Sequence, residues 1–327
     1  MLPDFVACVR PLASIHHQPR FTVASDGRAL SQIKEMTKTR EQFLTCPVCD
    51  SALAETTLNW LYRCPACGLE RSTLDITIND TQREDMIDED EREQALRPLR
   101  LETFRTIIGV LQSVVPLQDK ELLDVGCAHG WFLDEAKAAG AVTHGIEPEA
   151  GIIERMDAND HKIWHGFFPD DLSAKELFDV ITFNDVLEHL PDVRGCLKAC
   201  HARLNPGGCL LVNLPDRNGF FYRLARILMA VGIRGPFERL WQKNFKSPHL
   251  SYFNAGNLKQ LAEREGFTEV KRFSLPSVQF KGLWSRIRYD RSVSLVKALF
   301  LWLCVLFALP LLNLFPADIN VQIFRKR

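Results

Sequence analysis

The sequence predicts an α/β chain, a parallel sheet with helices on both faces, preceded by a small four-cysteine metal module. Three observations predict it. From residue 121 onward, short apolar runs alternate with helix-like stretches, the pattern of strands joined by crossover helices. Upstream, Cys46-Pro-Val-Cys49 and Cys64-Pro-Ala-Cys67 are separated by fourteen residues, a strong signal for a tetrahedral zinc ribbon. The 327 residues, 46% hydrophobic and 25% charged, give room for one large domain and one small one with an ordinary soluble profile. A net charge of −1 names no polyanionic partner.

Residues 1–41 show little periodicity and are expected to form a flexible N-terminal arm. No continuous apolar core marks a secretory leader in residues 1–20. Residues 42–78 form the ribbon: each cysteine pair makes a tight knuckle, residues 54–63 make a hairpin, and Gly68 fits the turn after the second knuckle. The other six cysteines (Cys8, Cys127, Cys196, Cys200, Cys209, Cys304) show no disulfide framework, which suits a reducing cytosol. Residues 79–93 read as an acidic linker or exposed helix start, since 80–93 hold eight acidic and two basic side chains.

Residues 94–115 place Leu99, Phe104, Ile107, Ile108 and Leu111 at helical spacing. Strands follow at 121–125, 141–147, 162–165, 178–184 and 209–215. Helices are expected at 131–139, 149–158 and 193–203, and a Pro-Gly-Gly turn at 206–208. Two strands, 267–275 and 317–327, close the pattern. Two segments depart from it. Residues 217–246 are basic and aromatic, and the insertion 281–316 contains an apolar run from 295 to 315.

The chemistry-bearing residues gather at strand ends. Asp124 ends a buried run, and Gly126 and Gly130 frame the turn into a helix, where glycine lets backbone approach a ligand. Glu147 ends the next strand and can accept two hydrogen bonds from a ribose diol. A polar cluster, Asn184-Asp185 with Glu188-His189, follows the strand at 178–184.

The motifs DVGCAHG at 124–130, Glu147, NDVLEHL at 184–190 and LNPGGCLLV at 204–212 together resemble the class I S-adenosylmethionine (SAM)-dependent methyltransferases, across residues 94–327. The resemblance implies a Rossmann-like seven-stranded methyltransferase sheet and SAM as cofactor. The backbone at Gly126, Cys127 and Gly130 would line its methionine part, with Asp124 orienting that loop or reaching the amino group. Glu147 would hold the ribose, Gly166 and Phe167 would line the adenine pocket, and Asn184 would lie beside the sulfonium. SAM already carries its leaving group, so the protein's task is positioning, which can supply roughly 7–11 kcal/mol.

An alcohol or phenol acceptor also needs a base, and His189 and His249 are the candidates. His189, at the carboxyl edge of the sheet, is favoured; His249 then orients acceptor or lid. Asp185, Glu188 and His189 also resemble the metal triad of quinone-biosynthesis O-methyltransferases, which would take Mg2+. At Cys46, Cys49, Cys64 and Cys67 four thiolates leave no open position, so Zn2+ there would be structural.

The segment SPHLSYFNAGNLKQLAEREGF (247–267) resembles the acceptor-side motif of a broad bacterial methyltransferase group associated with polysaccharide and secondary-metabolite pathways. The expected acceptor is accordingly a sugar, a lipid-linked glycan or another small molecule. The run 295–315 lies between two strands expected to pair in one sheet, so it should not cross a bilayer. With Lys281, Arg286, Arg288 and Arg291 nearby, it reads as a lid or as a helix lying on anionic lipid. The expected location is cytoplasmic, with peripheral contact at the inner face of the membrane. A zinc module before this fold also resembles some ribosomal RNA guanine methyltransferases. Residues 42–78 lack the clustered Lys and Arg that phosphate binding needs, so nucleic acid is not the expected partner. A SAM-binding scaffold without turnover is the third alternative.

Overall fold

The structure, a computed structural model, describes residues 43–76, 89–156, 161–277 and 314–327, with scattered positions between 284 and 306. The expected arm 1–41 and most of the apolar insertion lie outside the described residues, as does most of the acidic stretch.

A seven-stranded sheet forms the centre. Its strands are β4 (Glu121–Val125), β5 (Val142–Glu147), β6 (Lys162–His165), β7 (Phe178–Asn184), β8 (Leu204–Pro215), β10 (Phe267–Leu275) and β11 (Ile319–Lys326). Their order is β10-β11-β8-β7-β4-β5-β6. The β4/β5, β4/β7, β5/β6 and β7/β8 pairs are parallel. β11 enters antiparallel between β8 and β10. This is the Rossmann-like methyltransferase sheet that the sequence resemblance implies. Its central strands are apolar on both faces because helices cover both.

One face packs against α1 (Glu89–Gln112) and α2 (Trp131–Ala138) through Phe104, Ile107, Leu111, Phe132 and Leu133. The other packs against α4 (Val193–Arg203) and α7 (Ala255–Arg264) through Leu197, Cys200, Leu258 and Leu261. The short α3 is Ala150–Arg155, and α5 (Phe220–Ala230) and α6 (Gly235–Leu240) occupy the insertion 217–246.

Two boundaries differ from the sequence expectation. α1 starts at Glu89, inside the stretch read as a linker, and continues through Pro98. The expected Pro-Gly-Gly turn lies within β8, where pairing jumps from Phe178↔Leu204 to Val180↔Cys209. The strand bulges there and the turn residues stand out of register.

The four-cysteine module is built from β1 (Ala54–Glu55), β2 (Leu61–Arg63) and β3 (Glu70–Ser72). β1 and β2 form the expected hairpin. β3 then pairs with β9 (Ser251–Tyr252), so the module's sheet is completed by a strand from the catalytic half. The module's Val48, Leu53 and Leu69 belong to the same buried cluster as Val125, Leu187, Phe253 and Leu258. A separate cluster joins Leu58, Trp60 and Leu61 to Tyr222, Phe237, Trp241 and Tyr252.

Candidate functional site

The turn after β4 needs left-handed backbone at Gly126 (φ 69°), Ala128 (φ 44°) and Gly130 (φ 76°). Two glycines make that bend accessible; Ala128 pays for it with strain. The Gly126 and Cys127 amides both donate to the Ile146 carbonyl, at 2.8 and 3.3 Å, tying the turn to β5. The Cys127 thiol packs beneath Gly145, where an added Cβ would meet Sγ at 2.5 Å. The thiol is a buried, packed group.

Asp124 is buried, and its Oδ1 accepts hydrogen bonds from Thr182 Oγ1 (2.6 Å) and Asn184 Nδ2 (3.0 Å). Burial pushes its carboxyl up to about 7. Glu147 is fully buried. Its Oε2 accepts from the Ala128 amide and its Oε1 from the Glu149 amide, both at 3.0 Å. Burial pushes this carboxyl up to about 8. A carboxylate has about four lone-pair positions, so two remain beyond the backbone bonds. Glu147 thus anchors the glycine turn, a role that the sequence does not announce.

The residues predicted for the cofactor only partly converge. Asp124, Gly126, Cys127 and Asn184 line one cleft, joined by His129 and Trp131 of the following residues and Phe104 of α1. Gly130 caps α2 beside it, and Glu147 sits beneath the Ala128 turn. Gly166 and Phe167 do not line the cleft. The Gly166 amide bonds the Glu147 carbonyl, the Phe167 amide bonds Asp171, and the Phe167 ring packs on the core. His129 stacks on Trp131 with ring centroids 5.0 Å apart. The aromatic after Gly130 was a legible signal; Phe104, twenty residues upstream, was not.

A second cleft opens past the end of β7. Asp185, Glu188, His189 and His249 line it, with Asp216 and Asp318 and the aromatic rings of Phe221, Tyr222 and Tyr252. Leu187–His189 form a 3-10 turn. His189 is buried, and its Nδ1 faces the Pro248 carbonyl at 3.0 Å. That carbonyl makes Nδ1 the protonated nitrogen, so Nε2 carries the lone pair. Burial pushes His189 down to about 4, against the opposing pull of the Pro248 carbonyl. His249 lies with its ring centroid 4.7 Å away and is also pushed down by burial. Glu188 is 1% exposed with both carboxylate oxygens unpartnered. Burial, then the neighbouring Asp185, push its carboxyl up.

Two groups of side chains could hold a metal among the described residues. The first is Cys46, Cys49, Cys64 and Cys67. The Cys46–Cys67 and Cys49–Cys64 sulfurs are 3.5 and 3.4 Å apart. Tetrahedral zinc with bonds of about 2.3 Å spaces its sulfurs by about 3.8 Å, whereas a disulfide needs about 2.05 Å. All four are free thiols, so the donor set fits zinc.

The second group corrects the expected triad. Ligand atoms of Glu188, His189 and His249 lie within 4.8 Å of one another, and Asp185 is not among them. Asp185 has φ 56°, outside the 3-10 turn, and its carboxylate pairs with Arg100 of α1 at 3.9 Å. The single helical turn that would have aligned residues 185, 188 and 189 is not formed. His249 takes the third place instead, brought from a distant segment.

Residues 93–271 match the model of a family described as "Methyltransferase domain". The ubiquinone biosynthesis O-methyltransferase of Ralstonia nicotianae is 30% identical over 139 residues, 40% of this chain and 56% of that protein. The protein of the same description from Coxiella burnetii is 24% identical over 190 residues, 56% of this chain and 77% of the relative. The chain thus spans little more than half of the Ralstonia protein's length. A solved SAM-dependent methyltransferase from Mesorhizobium loti is 15% identical, with TM-score 0.46, covering 67% of this chain and 96% of that one. The magnesium protoporphyrin IX methyltransferase of Synechocystis, solved with S-adenosylhomocysteine, is 9% identical with TM-score 0.47, covering 76% and 91%.

Proposed function

Because this chain belongs to the methyltransferase-domain family over residues 93–271, we propose that it methylates an oxygen of a small-molecule acceptor, using SAM. The observation that carries the reading is the adjacency of the two clefts. Asn184 lines the cofactor side and Asp185, the next residue, lines the other.

Asp124, Gly126, Cys127, Gly130, Glu147 and Asn184 would hold SAM, with Gly166 and Phe167 farther out. Bound there, SAM supplies an electrophilic methyl group and a sulfur leaving group. The residues of the second cleft do the rest. Tyr222, Tyr252 and Phe221 offer apolar faces against a ring, while Asp216 and Asp318 offer acceptors for hydroxyl groups. This combination suits a sugar or a glycan. His189 Nε2 is the favoured proton acceptor. Glu188, whose two carboxylate oxygens have no partner, is its competitor.

Exposed Leu224, Ile227, Val231 and Ile233 of α5 and the loop after it stand beside exposed Arg223 and Arg234. This edge supports a lipid-linked acceptor or a peripheral membrane contact. No described helix is long and apolar enough to cross a membrane. Zinc at the four thiols is proposed as structural.

The Glu188, His189 and His249 group favours a second reading, in which these three side chains would hold a divalent metal that would supply Lewis acidity at the acceptor. Two imidazoles and one carboxylate suit a transition metal better than the Mg2+ expected from the triad.

Labelled SAM incubated with lipid, glycan, RNA and protein fractions of a lysate tests the reading: label is expected in the glycan or lipid fraction. Label in RNA alone would overturn it. His189→Ala is expected to cut turnover at least tenfold with S-adenosylhomocysteine affinity within threefold. Chelation mild enough to leave zinc at the four thiols that nonetheless abolishes turnover, with recovery on Zn2+ or Mn2+ but not Mg2+, would select the metal reading.

A further inference from the structure

We infer that strand β3 of the four-cysteine module is a positioning element for the second cleft, each of its three residues fixing a different wall. The inference rests on reading that cleft as the acceptor side.

Glu70, 3% exposed, receives the Tyr222 hydroxyl and pairs with Arg217 at 2.9 Å and Arg226 at 3.7 Å. It thereby fixes α5, whose Phe221 and Tyr222 face the cleft. Arg71, also buried, donates from Nη2 to the Pro191 carbonyl at 2.8 Å, two residues past His189. Ser72 Oγ donates to the His249 carbonyl at 2.6 Å. The Ser72 amide donates to the Leu250 carbonyl at 2.9 Å, and the Leu250 amide donates to the Glu188 carbonyl at 2.8 Å. One run of buried hydrogen bonds therefore leads from β3 to the segments carrying His249 and Glu188. In a low-dielectric interior such bonds are strong when made and costly to leave open.

β3 is itself fixed by the second knuckle. The Cys64 amide donates to the Leu69 carbonyl at 2.8 Å, and the Gly68 amide donates to the Cys64 carbonyl at 3.0 Å. The rest of the module is already engaged within the chain. Asp50 of the first knuckle pairs with Arg194 and Arg264, and Arg264 donates to the Val48 carbonyl. Trp60 of the hairpin lies edge-on to Trp241, with centroids 5.7 Å apart. The first knuckle and the hairpin's Trp60 are thus engaged with the module's own chain.

Amide hydrogen exchange on the full chain tests this, comparing zinc-loaded protein with the Cys64→Ser/Cys67→Ser variant. Exchange is expected to accelerate at least tenfold in 186–191 and 247–252. It should stay within twofold in 121–147, with S-adenosylhomocysteine affinity within threefold. A second pair of variants keeps the metal: Ser72→Ala should accelerate exchange in 247–252 severalfold, and Ser72→Thr, which keeps the hydroxyl, should restore it. Unchanged exchange in both segments would overturn the inference. So would acceleration across the whole sheet with loss of S-adenosylhomocysteine binding, which would make the module a general support. If wild-type protein binds no S-adenosylhomocysteine, the methyl-transfer reading fails while the exchange comparison still decides this one.

Discussion

Asp124 shows what one buried carboxylate does. Oδ1 takes both of its hydrogen bonds, and burial raises its pKa to about 7. The folded, ligand-free chain therefore holds this proton more tightly than the unfolded one. Its contribution to stability is fully present below about pH 4 and is lost as pH rises through about 7. Asp124→Asn keeps Oδ1 as acceptor and removes the titration. The variant's melting temperature should exceed that of wild type by a margin that grows from pH 4 to 7 and levels off above. Linkage bounds the gain at about 4 kcal/mol. A margin independent of pH would show that Asp124 is ionised throughout. Glu147→Ala removes the anchor of the Ala128 amide and, on the proposed reading, the ribose acceptor. It should weaken S-adenosylhomocysteine binding at least tenfold by calorimetry. The turn that gathers Asp124, Gly126 and Cys127 at one cleft was legible because strand, glycine turn and acidic strand end are local in sequence. The partners that raise or lower their pKa were not, since Thr182 approaches Asp124 across the sheet.

At the scale of elements, the turn into α2 depends on Gly130, with φ 76° and an added Cβ only 3.3 Å from Met156 Sδ. Gly130→Ala is expected to cost about 1–2 kcal/mol of stability and to weaken cofactor binding in the same titrations. Trp60 joins the ribbon hairpin to α6 and is 7% exposed. Trp60→Ala should cost about 3–5 kcal/mol by denaturant unfolding. If it costs under 1 kcal/mol, the hairpin folds independently of the insertion. The central strands β4, β7 and β8 were readable because each buries an apolar run. The β3/β9 pairing was not. Both strands are short, and Glu70-Arg71-Ser72 carries no apolar pattern, since its polar side chains are spent on buried partners. The expected Asp185 triad failed for a related reason: a positive φ at one residue broke the helical spacing on which it depended.

Over the whole molecule, exposed apolar residues of α5 and the loop after it lie with Arg223 and Arg234 on the surface. Full-length protein should sediment with vesicles containing phosphatidylglycerol at low salt and release at about 0.5 M salt, as screened charge predicts. Binding that ignores salt would point to apolar insertion alone, and no sedimentation at low salt would remove the membrane contact. Fold class and cofactor were legible at this scale, because both follow from the order of elements. The second cleft was not, since it is assembled from residues as far apart as Arg100, His249 and Asp318.

The placement of β11 also has a meaning for how the chain is made. β11 lies inside the sheet, between β8 and β10, yet about a hundred residues separate β8 from it. During synthesis β8 must wait on the ribosome with one edge unpaired and adhesive. The same interval exposes β10 to mispairing with β8 directly, parallel where the finished sheet is antiparallel. Nascent chains stalled before Ile319 are therefore the species on which chaperones should act, and the final strand is the latch that turns a sticky intermediate into a closed protein.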